Sequence, residues 1–156
     1  MDASRWTDLL RRAVRELWRE LRGLGGNERL AAVGVATMAL SLLLPWYGVP
    51  FQSDLGLTGV GAFSFAEAAL LLIGAATLAL ALRVGGGYVP PRPLSEGGLL
   101  IAAGTWAALI VGYRMLDRPE FTLFGLDEPY TLRYGIFVAV GGAALIVLAG
   151  LRARRR

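Results

Sequence analysis

The chain contains no cysteine, no histidine and no lysine. Without Cys there is no disulfide staple and no thiol redox chemistry. Without Cys or His the usual zinc sites, bis-His haem ligation and the Ser-His or Cys-His nucleophile pairs cannot be assembled. With Lys missing, all 16 basic residues are Arg. Charge is scarce as well: 18% of residues are charged against 55% hydrophobic, and the mean hydropathy is +0.53. The apolar residues come in long runs, which is the composition of a membrane protein. A net charge of +4 in a soluble chain would suggest nucleic acid. Here the arginines collect at the ends of apolar runs, where they serve topology and anionic headgroups, so nucleic acid is not an expected partner.

Residues 44–67, LPWYGVPFQSDLGLTGVGAFSFAE, join two apolar runs without one basic residue. They mark the far side of a bilayer. Four runs read as spans, at about 28–45, 65–83, 97–116 and 134–151, within a transmembrane domain covering 27–151. The first holds LAAVGVATMALSLLL and is expected to end at Pro45. A signal peptide is the competing reading, but no small-x-small cleavage site follows and three further spans do. Residues 83–96, RVGGGYVPPRPLSE, are a Gly/Pro connector. Thirteen arginines (those up to Arg29, then Arg83, Arg92 and the four after Leu151) lie on one side, against Arg114, Arg118 and Arg133 on the other. By the positive-inside rule both termini are expected in the cytoplasm.

Residues 1–26 form a separate unit. Trp6, Leu9, Leu10, Ala13, Val14, Leu17, Trp18 and Leu21 recur at helical spacing, with Arg11, Arg12 and Arg15 around the other face. The pattern predicts an amphipathic helix lying in the headgroup layer, or docking on a partner protein. Residues 152–156 are a basic cytoplasmic tail, a stop-transfer signal that also suits anionic lipid.

Few residues are candidates for a site. Ser64-x-x-Glu67 matches a capping box at the start of the second span. Glu67 is also an ionisable group inside a span, which raises a functional reading in which it pairs with Arg114 near the outer face. Trp106, at the middle of the third span, is expected to find a helix partner or a cavity for its indole N–H. Trp46, Tyr47, Phe51, Phe63, Phe121 and Phe124 form a candidate outer recognition surface. Asp117, Glu120, Asp127 and Glu128 are the only clustered carboxylates, and read more simply as a solvated loop than as an active site. No catalytic, cofactor or metal residue is proposed.

Gly104, Ala108 and Gly112 form one small-residue stripe, and Gly135, Ala139 and Ala143 another, which predicts close helix packing within the chain. The two outer segments share Pro, Phe and Gly-Leu features, so about 51–57 and 121–126 would pair as a short two-stranded outer cap. The expected fold is therefore an all-α four-transmembrane-helix bundle, with an N-terminal interfacial helix and that cap.

LLLPWY closing the first span, the Gly-rich outer loop and YRMLDRP leaving the third together resemble small uncharacterised bacterial four-span integral membrane proteins over most of residues 28–151. That resemblance implies the four-span fold in a bacterial plasma membrane, and no known activity. The small multidrug exporters carry an essential Glu within their first span, and this chain has only Glu28 at the inner end. The claudin-like tetraspans have a Gly-Leu-Trp and paired-Cys pattern that is lacking here. The resulting expectation is a non-enzymatic membrane protein of accessory or structural role, needing no cofactor. It would bind the bilayer, anionic headgroups, and another membrane protein or itself. The alternative is a small transporter or channel component using Glu67 and Arg114.

Overall fold

The computed structural model describes residues 23–155 apart from 50–51, 62–63, 92, 119 and 124–125, and gives no side-chain detail for 52–56, 121–123 and 126–129. The expected interfacial segment with Trp6, Trp18, Arg11, Arg12 and Arg15 lies outside the described residues. So do Phe51, Phe63 and Phe124, and the side chain of Phe121.

The described chain is mostly helical: α1 (Gly26–Ser41), α2 (Phe65–Gly85), α3 (Glu96–Leu116) and α4 (Tyr134–Arg154). Between α1 and α2 run β1 (Pro45–Val49) and β2 (Gln52–Thr58); between α3 and α4 run β3 (Glu120–Leu123), β4 (Leu126–Pro129) and β5 (Thr131–Leu132). Helix α4 packs tightly on both α1 and α3, and α2 packs more sparsely on α1 and α3. The arginines of the helix ends divide accordingly, with Arg114 and Arg133 at the sheet end and Arg29, Arg83, Arg152 and Arg154 at the other.

Three helices, α2, α3 and α4, have 21 residues each and are long and apolar enough to cross a membrane. Helix α1 has 16 residues, about 24 Å at 1.5 Å per residue. It stops at Ser41 rather than continuing to Pro45. Leu44 precedes a proline, which disfavours helical backbone there. The N–H groups of Leu42, Leu43 and Leu44 turn back to Ala39, Leu40 and Ser41 in tight three-residue steps. The Trp46 indole N–H also donates to the Ser41 carbonyl, at 2.8 Å.

The cap differs from the expected two-stranded pairing. Strand β1 is the centre of a three-stranded antiparallel sheet ordered β2-β1-β5, with Tyr47 opposite Leu57 on one side and Leu132 on the other. Strands β3 and β4 make a hairpin of their own, with Leu123 opposite Leu126. The two outer segments do meet, through β1 and β5 instead of 51–57 and 121–126. Each Gly-containing segment folds back on its nearest neighbour because local closure costs less chain entropy than a distant pairing.

Along the helix seams most of the buried residues are small, while many large apolar ones face outward. On α4, Gly135, Ala139, Gly142, Ala143, Ala149 and Gly150 are buried together with Ile136 and Ile146, while Phe137, Leu148 and Leu151 are exposed. Water would select the reverse; a lipid environment allows it, because helix association there depends on close backbone approach. A Cβ on Gly34 would lie 2.8 Å from the Gly142 carbonyl oxygen, and one on Gly142 would lie 2.8 Å from that of Gly34. Gly150 meets the Gly97 carbonyl at 2.7 Å in the same sense. The stripe on α3 is displaced from the expected register. Gly104 is buried, but the row continues through Ala107 and Val111, leaving Ala108 exposed and Gly112 with open space around it. The seven-residue repeat of a slightly supercoiled contact, Gly97 to Gly104 to Val111, sets that row.

Gly142→Ala is therefore expected to cost about 1–3 kcal/mol of unfolding free energy from overpacking against Gly34. Gly141→Ala, whose new Cβ meets nothing within 4 Å, should be neutral or slightly stabilising. Thermal or SDS-driven unfolding in detergent micelles would compare the two.

Candidate functional site

Glu67 and Arg114 meet where α2 begins and α3 ends. Ser64 is the N-cap of α2, and its side-chain oxygen accepts from the Ala66 N–H at 3.2 Å. Glu67 Oε2 accepts in return from the Ser64 N–H at 2.7 Å and from the Ser64 hydroxyl at 2.6 Å, completing the capping box. The other carboxylate oxygen, Oε1, accepts from Arg114 Nε at 2.8 Å. One carboxylate therefore serves both readings taken from the sequence, as helix cap and as partner of Arg114. The side chain of Glu67 is fully buried and that of Arg114 is 9% exposed.

The two helix ends favour this placement. An anion gains from the partial positive charge at a helix N-terminus and a cation from the negative C-terminus, and Glu67 and Arg114 occupy those positions. Arg114 is held from further sides: its Nη1 reaches the Asp117 carbonyl at 3.4 Å, and its guanidinium carbon lies 5.6 Å from the centre of the Tyr47 ring. The Tyr47 hydroxyl donates to the Arg114 carbonyl oxygen at 3.0 Å, closing the end of α3. Burial pushes the Tyr47 phenol above its usual pKa, opposed in part by the neighbouring Arg114 charge.

Trp46 and Tyr47 are thus core residues, both fully buried. They do not form part of an exposed recognition surface. Their rings stack edge-on at 6.5 Å, and Tyr130 approaches Tyr47 from β5's side at 6.5 Å. An aromatic pair after an apolar run reads as an interfacial belt; adjacent strand residues would face opposite ways, and the irregularity at Trp46 in the β1–β2 pairing, which accompanies the burial of both rings, leaves no trace in residue types. The participation of Tyr47 in the pair's surroundings is the feature that sequence reasoning missed.

Of the outer carboxylates, the structure describes the side chains of Asp117 and Glu120 and only the backbone of Asp127 and Glu128. Asp117 is exposed and accepts from the Tyr113 hydroxyl at 2.7 Å. Glu120, Asp127 and Glu128 are strung along the hairpin, opposite Pro129, Thr122 and Phe121. Among the described residues no group of three His, Cys, Asp or Glu could hold a metal ion. Of the two settings expected for Trp106, a helix partner or a cavity, the described residues give the second in open form: it is 61% exposed, at the side of an apolar groove between α2 and α3. Chemically, the pair's oxygens are already occupied by internal donors, which suits clamping two helices better than turning over a substrate.

Comparison with protein-family models, with curated proteins and with solved structures finds no match.

Arg114→Met strands the buried Glu67 carboxylate and is expected to cost about 3–5 kcal/mol, and Glu67→Gln strands the guanidinium at similar cost. The double variant should lose clearly less than the sum of the two, as a double-mutant cycle in micelles would measure. Tyr47 makes a separate contribution on the alkaline side. A phenol whose pKa is raised on folding stabilises the protein below the unfolded value of about 10, and that contribution disappears as pH rises through the folded value. Stability should therefore fall above about pH 10, and Tyr47→Phe should remove that part of the slope in unfolding curves taken against pH.

Proposed function

We propose that this is a four-span bacterial plasma-membrane protein with both termini in the cytoplasm, whose role is accessory or structural: it binds lipid headgroups and partner protein and catalyses no reaction. The observation that carries the reading is the closure of the Glu67–Arg114 pair. Intramembrane charges usually mark a pathway or a substrate site when they line a water-filled cavity. Here Glu67 is fully buried and both of its oxygens are bonded within the chain.

The fourth span is α1. It runs beside α4 with the Gly34 and Gly142 backbones in contact, and its outward residues Val33 and Leu40, like Leu43 in the turn that follows, are apolar and exposed. A helix with a lipid-suited face, packed against two of the three long apolar helices, α2 and α4, belongs in the same slab. At about 24 Å it is short for a hydrocarbon layer of about 30 Å, which local thinning and the Leu42–Leu44 turn can accommodate. The excess of arginine at the end away from the sheet supports a cytoplasmic position for that end.

Because the chain has no native Cys, single thiols report topology cleanly. Val60→Cys and Val89→Cys should be labelled from opposite sides of sealed vesicles by an impermeant maleimide, and labelling of both from one side would overturn the four-span arrangement. For the role, proteoliposomes should show no pH-driven solute movement; a flux lost in a Glu67→Gln protein that still folds would replace this reading with a transporter.

A further inference from the structure

Helices α2 and α3 part near their middles to leave a groove of about 490 Å³, lined by Ala76, Thr77, Ala102, Ala103 and Trp106 among others. Two polar groups border it without an obvious use. The Thr77 hydroxyl is buried and has no hydrogen-bond partner among the described residues. Trp106 sits at the centre of α3 and is 61% exposed. In a bilayer, hydrocarbon satisfies neither group.

Resting on the reading of α2 and α3 as membrane spans, we infer that this groove is the interface of a twofold homodimer. Trp106 of each copy enters the groove of the other, and its indole N–H donates to the other copy's Thr77 hydroxyl. Indole is a donor only, and a hydroxyl has two acceptor lone pairs, so the exposed Trp106 and the Thr77 hydroxyl just beneath the groove are complementary halves of one bond. An acyl chain could fill the volume but would bring no acceptor for the indole. The small side chains of Ala76, Ala102 and Ala103 let another helix approach closely.

Depth decides whether the halves can meet. A twofold axis along the membrane normal leaves every residue at its own depth, so Trp106 and Thr77 must lie at one level within the chain. Glu67 and Arg114 fix the antiparallel register of α2 and α3. Ten residues along α2 from Glu67 is Thr77, and eight back along α3 from Arg114 is Trp106. The difference is two residues, about 3 Å. Long helical side chains lean toward their helix N-terminus, which moves the Trp106 ring in the direction that closes this gap. Threonine has two accessible rotamers in a helix, so the Thr77 hydroxyl can turn outward as the ring arrives.

Disulfide trapping in native membranes tests this on the full, naturally Cys-free chain. Ala102→Cys and Ala76→Cys should cross-link to dimers, whereas Leu40→Cys and Leu148→Cys, on exposed positions of α1 and α4, should not. Adding Trp106→Ala should lower the groove cross-linking by about three- to tenfold. Thr77→Val should lower it by about two- to threefold and Thr77→Ser should leave it unchanged. Thermal unfolding of each variant checks that it is folded, and Thr77→Val nearly preserves shape where Trp106→Ala does not. Groove cross-linking no higher than at Leu40 and Leu148, or undiminished by Trp106→Ala, overturns the dimer. If the groove thiols react with an impermeant maleimide in sealed vesicles, the span reading itself fails. Unlabelled thiols that do not cross-link remove the dimer alone.

Discussion

The carboxylate of Glu67 is the contact on which the arrangement at the sheet end depends. One oxygen closes the first turn of α2 through Ser64 and the other holds Arg114 at the last turn of α3. Tyr47, bonded to the Arg114 carbonyl and lying against its guanidinium, ties the same point to the central strand of the sheet. Three elements distant in sequence thus converge on one neutralised pair. A pair buried this far gains little net stability over an apolar replacement, because both charges have lost their water. What it supplies is register: in an apolar environment no neighbouring position can satisfy either charge, so α2 cannot slide on α3 without large cost.

Such a device matters most where packing is weakest. Helix α4 is held to α1 and α3 by direct backbone approach at Gly34, Gly142, Gly97 and Gly150, contacts that tolerate no added carbon. Helix α2 has no comparable seam. Its Gly74 leaves 3.3 Å to Val35, and grooves open on both of its sides, one toward α1 and one toward α3. It is pinned near its two ends, by Glu67 at the sheet end and by Leu24 against Gly85 at the other. The molecule is therefore a tight three-helix unit with a fourth helix clamped alongside, bordered by an open groove on each side.

Much of this was legible in residue order. Runs of apolar residues between glycine, proline and arginine clusters placed α2, α3 and α4 closely, since their ends carry Ser64, Ser95 and the arginines that stop a membrane helix. Ser64 and Glu67 at a three-residue spacing announced the cap because its geometry is local. The burial of Trp46 and Tyr47 was not legible. Their chemistry suits an interface as well as a core, and which it is depends on distant groups packing on them, Tyr130 and Arg114 at Tyr47 and Gly59 and Gly135 at Trp46. The small-residue rows were visible, but not which of Gly104, Ala108 and Gly112 would face a partner, because that follows from a crossing geometry that involves two helices.

By itself, then, the sequence determined what depends on one segment at a time: the apolar runs, their boundaries, the helix cap, and the exclusion of Cys- and His-based chemistry. Only the tertiary structure decided which strands pair, that the cap carboxylate also reaches Arg114, that Tyr47 closes α3, and that Trp106 stands outside the bundle beside an open groove. Each of these joins groups tens of residues apart. Their proximity is set by backbone approach at a few glycines and by the register of one buried ion pair, and neither can be read from the spacing along a single element.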